Sequence, residues 1–197
     1  HANVGPFIGK QLIQRLVTSN PSPAYVQRVS AAFSNNGAGV RGDMKAVIRA
    51  ILFDPEARGV AQVSNPRWGK LREPTVRLMH WARSTRATSQ DGKWAFGDLS
   101  NPSTKLGQAP LRSPSVFNFY RPGYVPPATS IADAGLVAPE FQITNEVSTI
   151  GYINYIYSAI DGKSAMSNAG VISSAYAAEV NLPLDELINR LDLMFPH

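Results

Sequence analysis

The 197-residue sequence predicts a mainly α-helical fold. Apolar residues recur at helical spacing in successive segments, and short turns rich in Pro, Gly, Asn and Asp separate those segments. No segment shows the strict alternation of apolar and polar residues that predicts a half-buried strand. We therefore expect one compact, bundle-like helical domain over residues 1–197, with little or no β structure.

Residues 4–58 predict three helices joined by tight polar turns. The first helix contains Pro6, which suits a first helical turn, and it ends at Asn20-Pro21-Ser22-Pro23. Asp43 is placed to cap the third helix, because its carboxylate can accept hydrogen bonds from free backbone amides. Asp54 can cap a short turn that follows.

The remainder of the chain predicts four further features. A fourth helix covers about residues 72–86, and an irregular region rich in Pro, Gly and aromatic residues follows over 87–139. A loop of that length inside a domain is unusual unless function or buried side chains order it, so we expect an ordered loop. A central helix is predicted at about 141–160, with apolar residues on more than one face and hence buried, and a C-terminal helix at about 184–195.

Composition and motifs exclude several classes of function. The chain has no cysteine, which excludes disulfides, thiolate metal sites and a cysteine nucleophile. Its net charge of +5 is dispersed as single residues, and this pattern does not favour nucleic-acid binding. No apolar run reaches the roughly 20 residues of a membrane span. No nucleotide-binding glycine loop, nucleophile elbow or metal-binding histidine pair is present, so we expect no cofactor and no metal site.

Two carboxylates near the central helix are the candidate catalytic residues. Hydrolysis of a glycosidic bond needs one carboxylic acid and one carboxylate, and Glu140 and Glu146 flank the predicted helix start. Glu146 is the candidate acid, because an apolar surrounding favours the protonated form. In the alternative interpretation, Glu140 caps the helix dipole and Glu146 pairs with Arg77 or Arg121.

Aromatic and charged residues before that helix are the candidate substrate-binding residues. Sugar rings stack on exposed aromatic faces, and guanidinium groups bind acidic substituents. The ligand class predicted from them is a polysaccharide or oligosaccharide. The candidates are Trp94, Asp98, Arg112, Tyr120, Arg121 and Tyr124. Each can equally anchor a loop or satisfy loop carbonyls.

Several segments together resemble a known family. They are residues 1–8, 10–23, 39–43, 51–58, 71–78, 113–124 and 140–146. Their order and spacing are similar to those of the bacterial family of domain of unknown function 1800. The resemblance covers nearly the whole chain and implies a helical fold and an exported protein, periplasmic or extracellular. Family members are typically more than twice this long, with a helical N-terminal portion, and this chain is similar to their C-terminal part only. We therefore expect either a natural short form or a fragment of a longer protein.

Three functional hypotheses follow. The first is a glycoside hydrolase with the two-carboxylate mechanism. The second is a non-catalytic helical interaction module of a larger exported protein, with an exposed patch of Phe117, Tyr120 and Tyr124 that the N-terminal half or a second copy would cover. The third is an esterase in which Ser113 or Ser115 reacts with help from His80.

Overall fold

The computed structural model describes residues 1–89, 92–94, 96–160, 171–172, 179 and 181–194. The predicted mainly α fold is confirmed. The chain divides into two compact units: His1–Leu71 with Tyr120–Gln142 form unit 1, and Arg72–Phe119 with Ile143–His197 form unit 2. The single domain predicted over residues 1–197 stays a prediction, since two compact units can belong to one domain or to two.

Helices make up most of the described secondary structure. In chain order they are α1 (Val4–Leu16), α2 (Pro23–Ser34), α3 (Met44–Leu52), α4 (Pro55–Arg58), α5 (Pro74–Ser84), α6 (Ser130–Asp133), α7 (Glu146–Ile160) and α8 (Leu184–Met194). Single 3₁₀ turns occur at Val60–Gln62 and Pro139–Ile143. The strands β1 (Thr88–Ser89) and β2 (Val171–Ile172) form a short antiparallel pair in unit 2.

Unit 1 is built on α1, α2 and α3, and each of these helices contributes large apolar side chains to a common core. Its core consists of Ile13, Tyr25, Val29, Phe33, Val47 and Ile51. The hydroxyl of Tyr25 donates a hydrogen bond to the carbonyl of Ile51 at 2.6 Å, which satisfies the one polar atom of this buried ring. Side-chain caps begin α2, α3 and α4 at Ser22, Asp43 and Asp54. These caps fix the residue at which each short helix begins.

Unit 2 has a core shared between helices and irregular chain. Leu78 and Trp81 of α5 and Tyr155 of α7 pack with Leu99 and Leu106, which lie in no helix or strand. The irregular region is therefore ordered by its own buried side chains, as expected of a long loop in a compact fold. The buried Gln108 side chain accepts a hydrogen bond from the hydroxyl of Thr75 at 2.9 Å and fixes the loop to α5.

The central helix α7 begins at Glu146, later than the predicted start at Phe141. A reciprocal capping pair sets this start. The amide of Ser148 donates to the side chain of Asn145 at 3.0 Å, and the amide of Asn145 donates to the hydroxyl of Ser148 at 2.9 Å. The preceding residues form the 3₁₀ turn Pro139–Ile143 instead of helix.

Candidate functional site

Glu140 lies in the interior of unit 1, in the 3₁₀ turn before α7. Its side chain is 1% exposed, and the ammonium group of Lys70 lies 3.0 Å from its Oε1 atom. Lys70 also donates a hydrogen bond to the carbonyl of Arg15 at 2.9 Å. A carboxylate held in a dry ion pair is positioned to stabilise the fold, and a polymer in solvent cannot reach it.

Glu146 is the first residue of α7 and belongs to unit 2. Its side chain is exposed to solvent. A carboxylate in the first turn of a helix interacts favourably with the positive end of the helix dipole. Glu140 and Glu146 thus belong to different units and have different surroundings.

The aromatic stretch Leu111–Tyr124 is divided between the two units. In unit 2, residues 111–118 are exposed, and Phe117 is 71% exposed. In unit 1, Tyr120 is buried, and the guanidinium carbon of Arg15 lies 4.3 Å from the centre of its ring. The predicted exposed patch is therefore wrong for Tyr120, because this ring is covered by its own unit.

The neighbouring residues of that stretch serve backbone contacts. The amide of Arg121 donates to Oε1 of Gln142 at 2.8 Å, and its side chain is exposed. The carbonyl of Tyr124 accepts a hydrogen bond from the amide of Ala138 at 2.9 Å, and its ring is half-buried. Lys70 forms an ion pair with Glu140. The sequence had suggested Arg121 as the partner of one of the two glutamates.

Three of the predicted binding residues lie on the surface of unit 2. The guanidinium of Arg112 lies 3.6 Å from Oδ2 of Asp98, and both side chains are about half exposed. Hydrogen bonds from the side chain and the amide of Ser100 hold the pKa of Asp98 below its usual range. Trp94 is exposed beside Phe96, with 6.3 Å between the ring centres. An exposed, ionised carboxylate of this kind suits a role as base or ion-pair partner and does not suit a general acid.

The inner face of α7 is lined with small residues. Ser148, Gly151 and Ala159 are buried on this face, with Tyr155 between them. A Cβ atom at position 151 would overlap the carbonyl oxygen of Pro102, so only glycine permits this approach of helix and loop. Burial raises the pKa of Tyr155 to about 12.

The outer face of α7 carries the large apolar side chains. Ile150 is 61% exposed and Tyr157 is 71% exposed. The stripe, called here the outer stripe, comprises Val147, Ile150, Ile153, Tyr157 and Ile160. The sequence predicted α7 as buried because it is apolar all round, and for the outer stripe this is wrong. Among the described residues nothing covers it.

The comparison with protein families identifies the chain. The model of a family described as a protein of unknown function, DUF1800, matches residues 1–192. The chain belongs to the DUF1800 family. No curated protein matches the chain, and no solved structure does.

The segments by which the chain resembles DUF1800 have clear structural tasks. Asp43 caps α3 through the amides of Lys45 and Ala46. Asp54 caps α4 and accepts two hydrogen bonds from Arg28 at 2.7 Å. The contacts given for these two acids and for the buried Glu140 lie within unit 1.

Two surface features of unit 2 were not predicted from the sequence. The outer stripe follows an i, i+3, i+7 pattern that was visible in the sequence, but the small residues opposite were needed to show which face points inward. The second feature is a groove along α5, described below.

No helix in the described part of the chain has the length and apolarity to cross a bilayer.

Proposed function

We propose that this DUF1800 chain is a non-catalytic helical interaction module of a larger exported protein, and that the outer stripe of α7 is its docking surface. The observation that carries the proposal is the orientation of α7. Gly151 and Ala159 are buried on its inner face, and Ile150 and Ile153 are exposed on its outer face. Burial of one such side chain contributes about 1.5 to 3 kcal/mol, so a contiguous stripe favours association.

The form of the stripe indicates the form of the partner. Helix α7 has 15 residues and is therefore about 22 Å long. The outer stripe contains no charged side chain. A surface that is long, narrow and apolar suits one apolar helix, packed by the ridges and grooves of β-branched residues. The partner class is thus a helical segment with an apolar face.

Two sources of such a helix are open to test. One is a second copy of the chain, in which two α7 stripes would pack across a two-fold axis. The other is the helical N-terminal half that the family resemblance implies. Light scattering of the chain alone detects the first, and a pull-down with the N-terminal half detects the second.

The test uses a pair of substitutions on the stripe. Ile150→Asp with Ile153→Asp places two charges in the proposed interface, and we expect at least a tenfold loss of association in whichever assay detects it. The matched control is Val60→Asp with Val63→Asp, an exposed apolar pair in unit 1. Association that survives the first pair, or a monomer that ignores the N-terminal half, would overturn the proposal.

The glycoside hydrolase stays a prediction, and the ion pair of Glu140 gives it little support. A reducing-sugar assay over a set of polysaccharides tests it, with Glu146→Gln as the comparison. Sugar release by the chain that disappears in Glu146→Gln would favour the hydrolase over the interaction module. We expect no release from either protein.

A further inference from the structure

A groove along α5 in unit 2 carries two arginine side chains. Its volume is about 580 Å³. That size lies within the range of about 300 to 1,000 Å³ that is typical of small-molecule sites. Its lining includes Arg72, Val76, Met79, His80, Arg83 and Pro110. None of the described residues that line it is acidic.

His80 holds one of the two guanidinium groups that line the groove. Arg72 precedes α5, and its Nη1 atom lies 2.5 Å from Nδ1 of His80, two turns further along. Because a guanidinium has only donors, Nδ1 of His80 accepts this hydrogen bond. Arg83 lies three residues after His80 and therefore on the same face of the helix. The imidazole thus fixes the guanidinium of Arg72 in the groove that Arg83 also lines.

The charge in the groove indicates an anionic ligand. Arg83 forms no ion pair with any residue that the structure describes. Guanidinium groups bind phosphate and carboxylate oxygens through paired N–H donors. A phosphate monoester carries a charge of about −1.5 to −2 at pH 7, which two arginines match and which a single carboxylate does not.

The rest of the groove indicates the other half of the ligand. Val76 and Met79 are partly exposed along the same face of α5, and Pro110 faces them across the groove. We propose that this groove binds a phosphate monoester, with the phosphate between Arg72 and Arg83 and an organic substituent packed on Val76 and Met79. The site is separate from the outer stripe of α7 and needs no catalytic group.

Calorimetric titration of the whole chain with phenyl phosphate at low salt tests the site. We expect measurable binding that weakens at least tenfold in Arg83→Ala and in Arg72→Ala, and that also weakens as salt is added. The matched control is Arg86→Ala, an exposed arginine next to the groove that does not line it, and its affinity should be unchanged. Circular dichroism checks that each variant is folded.

A second comparison tests the apolar contact. Met79→Ala should weaken phenyl phosphate severalfold and leave inorganic phosphate unchanged, because inorganic phosphate has no substituent to pack. No binding of phenyl phosphate at millimolar concentration would overturn the proposal. Equal affinity in the parent chain, Arg72→Ala and Arg83→Ala would also overturn it, as would equal loss in Arg86→Ala.

Discussion

The central helices of the two units differ in how completely they bury their large apolar side chains. In unit 1, large residues such as Ile13 and Ile51 point inward, and the core is completed by α1, α2 and α3. In unit 2, the central helix α7 contributes Tyr155 and small residues such as Gly151 to the core and leaves the outer stripe exposed. The difference teaches that a helix can complete a core with one face and still leave a row of large apolar side chains exposed on the other.

Isoleucine truncation gives the largest expected contrast between the units. Ile51→Ala should lower the free energy of unfolding by about 3 kcal/mol, because it leaves a cavity in the core of unit 1. Ile150→Ala on the outer stripe should change it by no more than about 0.5 kcal/mol, because that side chain is largely in solvent. Urea denaturation of both variants measures the contrast. Equal costs would break it.

Alanine in place of glycine gives the next contrast. Gly151→Ala should cost about 2 kcal/mol, because the added methyl group overlaps the backbone of Pro102 and Ser103, which cannot move aside cheaply. In Gly9→Ala of α1, the new Cβ would lie 3.0 Å from a side-chain methyl group of Val29, a tight contact with a side chain and not with backbone. We expect this control to stay within about 1 kcal/mol of the parent chain, since alanine also favours helix. A neutral Gly151→Ala would refute the close packing of α7.

Acid sensitivity of unit 1 gives the smallest effect. Burial tends to raise the pKa of Asp54, but the hydrogen bonds from Arg28 and from the amide of Glu56, together with the charge of Arg28, outweigh burial and hold the pKa below its usual range. The stability from this pair is therefore present above the unfolded pKa of about 3.9 and is lost as pH falls through the lower folded value. Asp54→Asn keeps a residue that caps helices well. Because asparagine has no charge to lose, the free energy of unfolding of this variant should fall by about 1 kcal/mol less on acidification than that of the parent chain.

Unfolding titrations at pH 7, 4 and 3 compare the parent chain with Asp54→Asn. The difference in stability between the two proteins should be largest at pH 7 and should shrink at pH 3. A difference that stays constant over this range would show that Arg28 does not stabilise the ionised form of Asp54.

Local pattern predicted the helices well, because caps and apolar spacing act over a few residues. Asp43 and Asp54 were predicted as caps from the sequence and are found at helix starts. The partners of Glu140 and Tyr120 could not be read in this way. Lys70 and Arg15 are far from them in the sequence, and only the folded chain brings them together.

The orientation of α7 was beyond a sequence argument for a related reason. A helix with apolar residues on all sides does not show by periodicity which face is inside. The choice is made by Pro102 and Ser103, whose backbone admits only Gly151. The candidate carboxylates were selected by their spacing along the chain. In the structure, Glu140 belongs to unit 1 and Glu146 to unit 2, so closeness in sequence did not place them in one unit.

Two tyrosines on α7 allow the most direct measurement of the central claim. Tyr155 is buried on the inner face, and Tyr157 is exposed on the outer stripe. Tyrosine nitration of the dilute chain, followed by mass spectrometry, should modify Tyr157 and leave Tyr155 and the buried Tyr25 of unit 1 unmodified. Protection of Tyr157 at high dilution, or modification of Tyr155 in the folded chain, would contradict the orientation of α7.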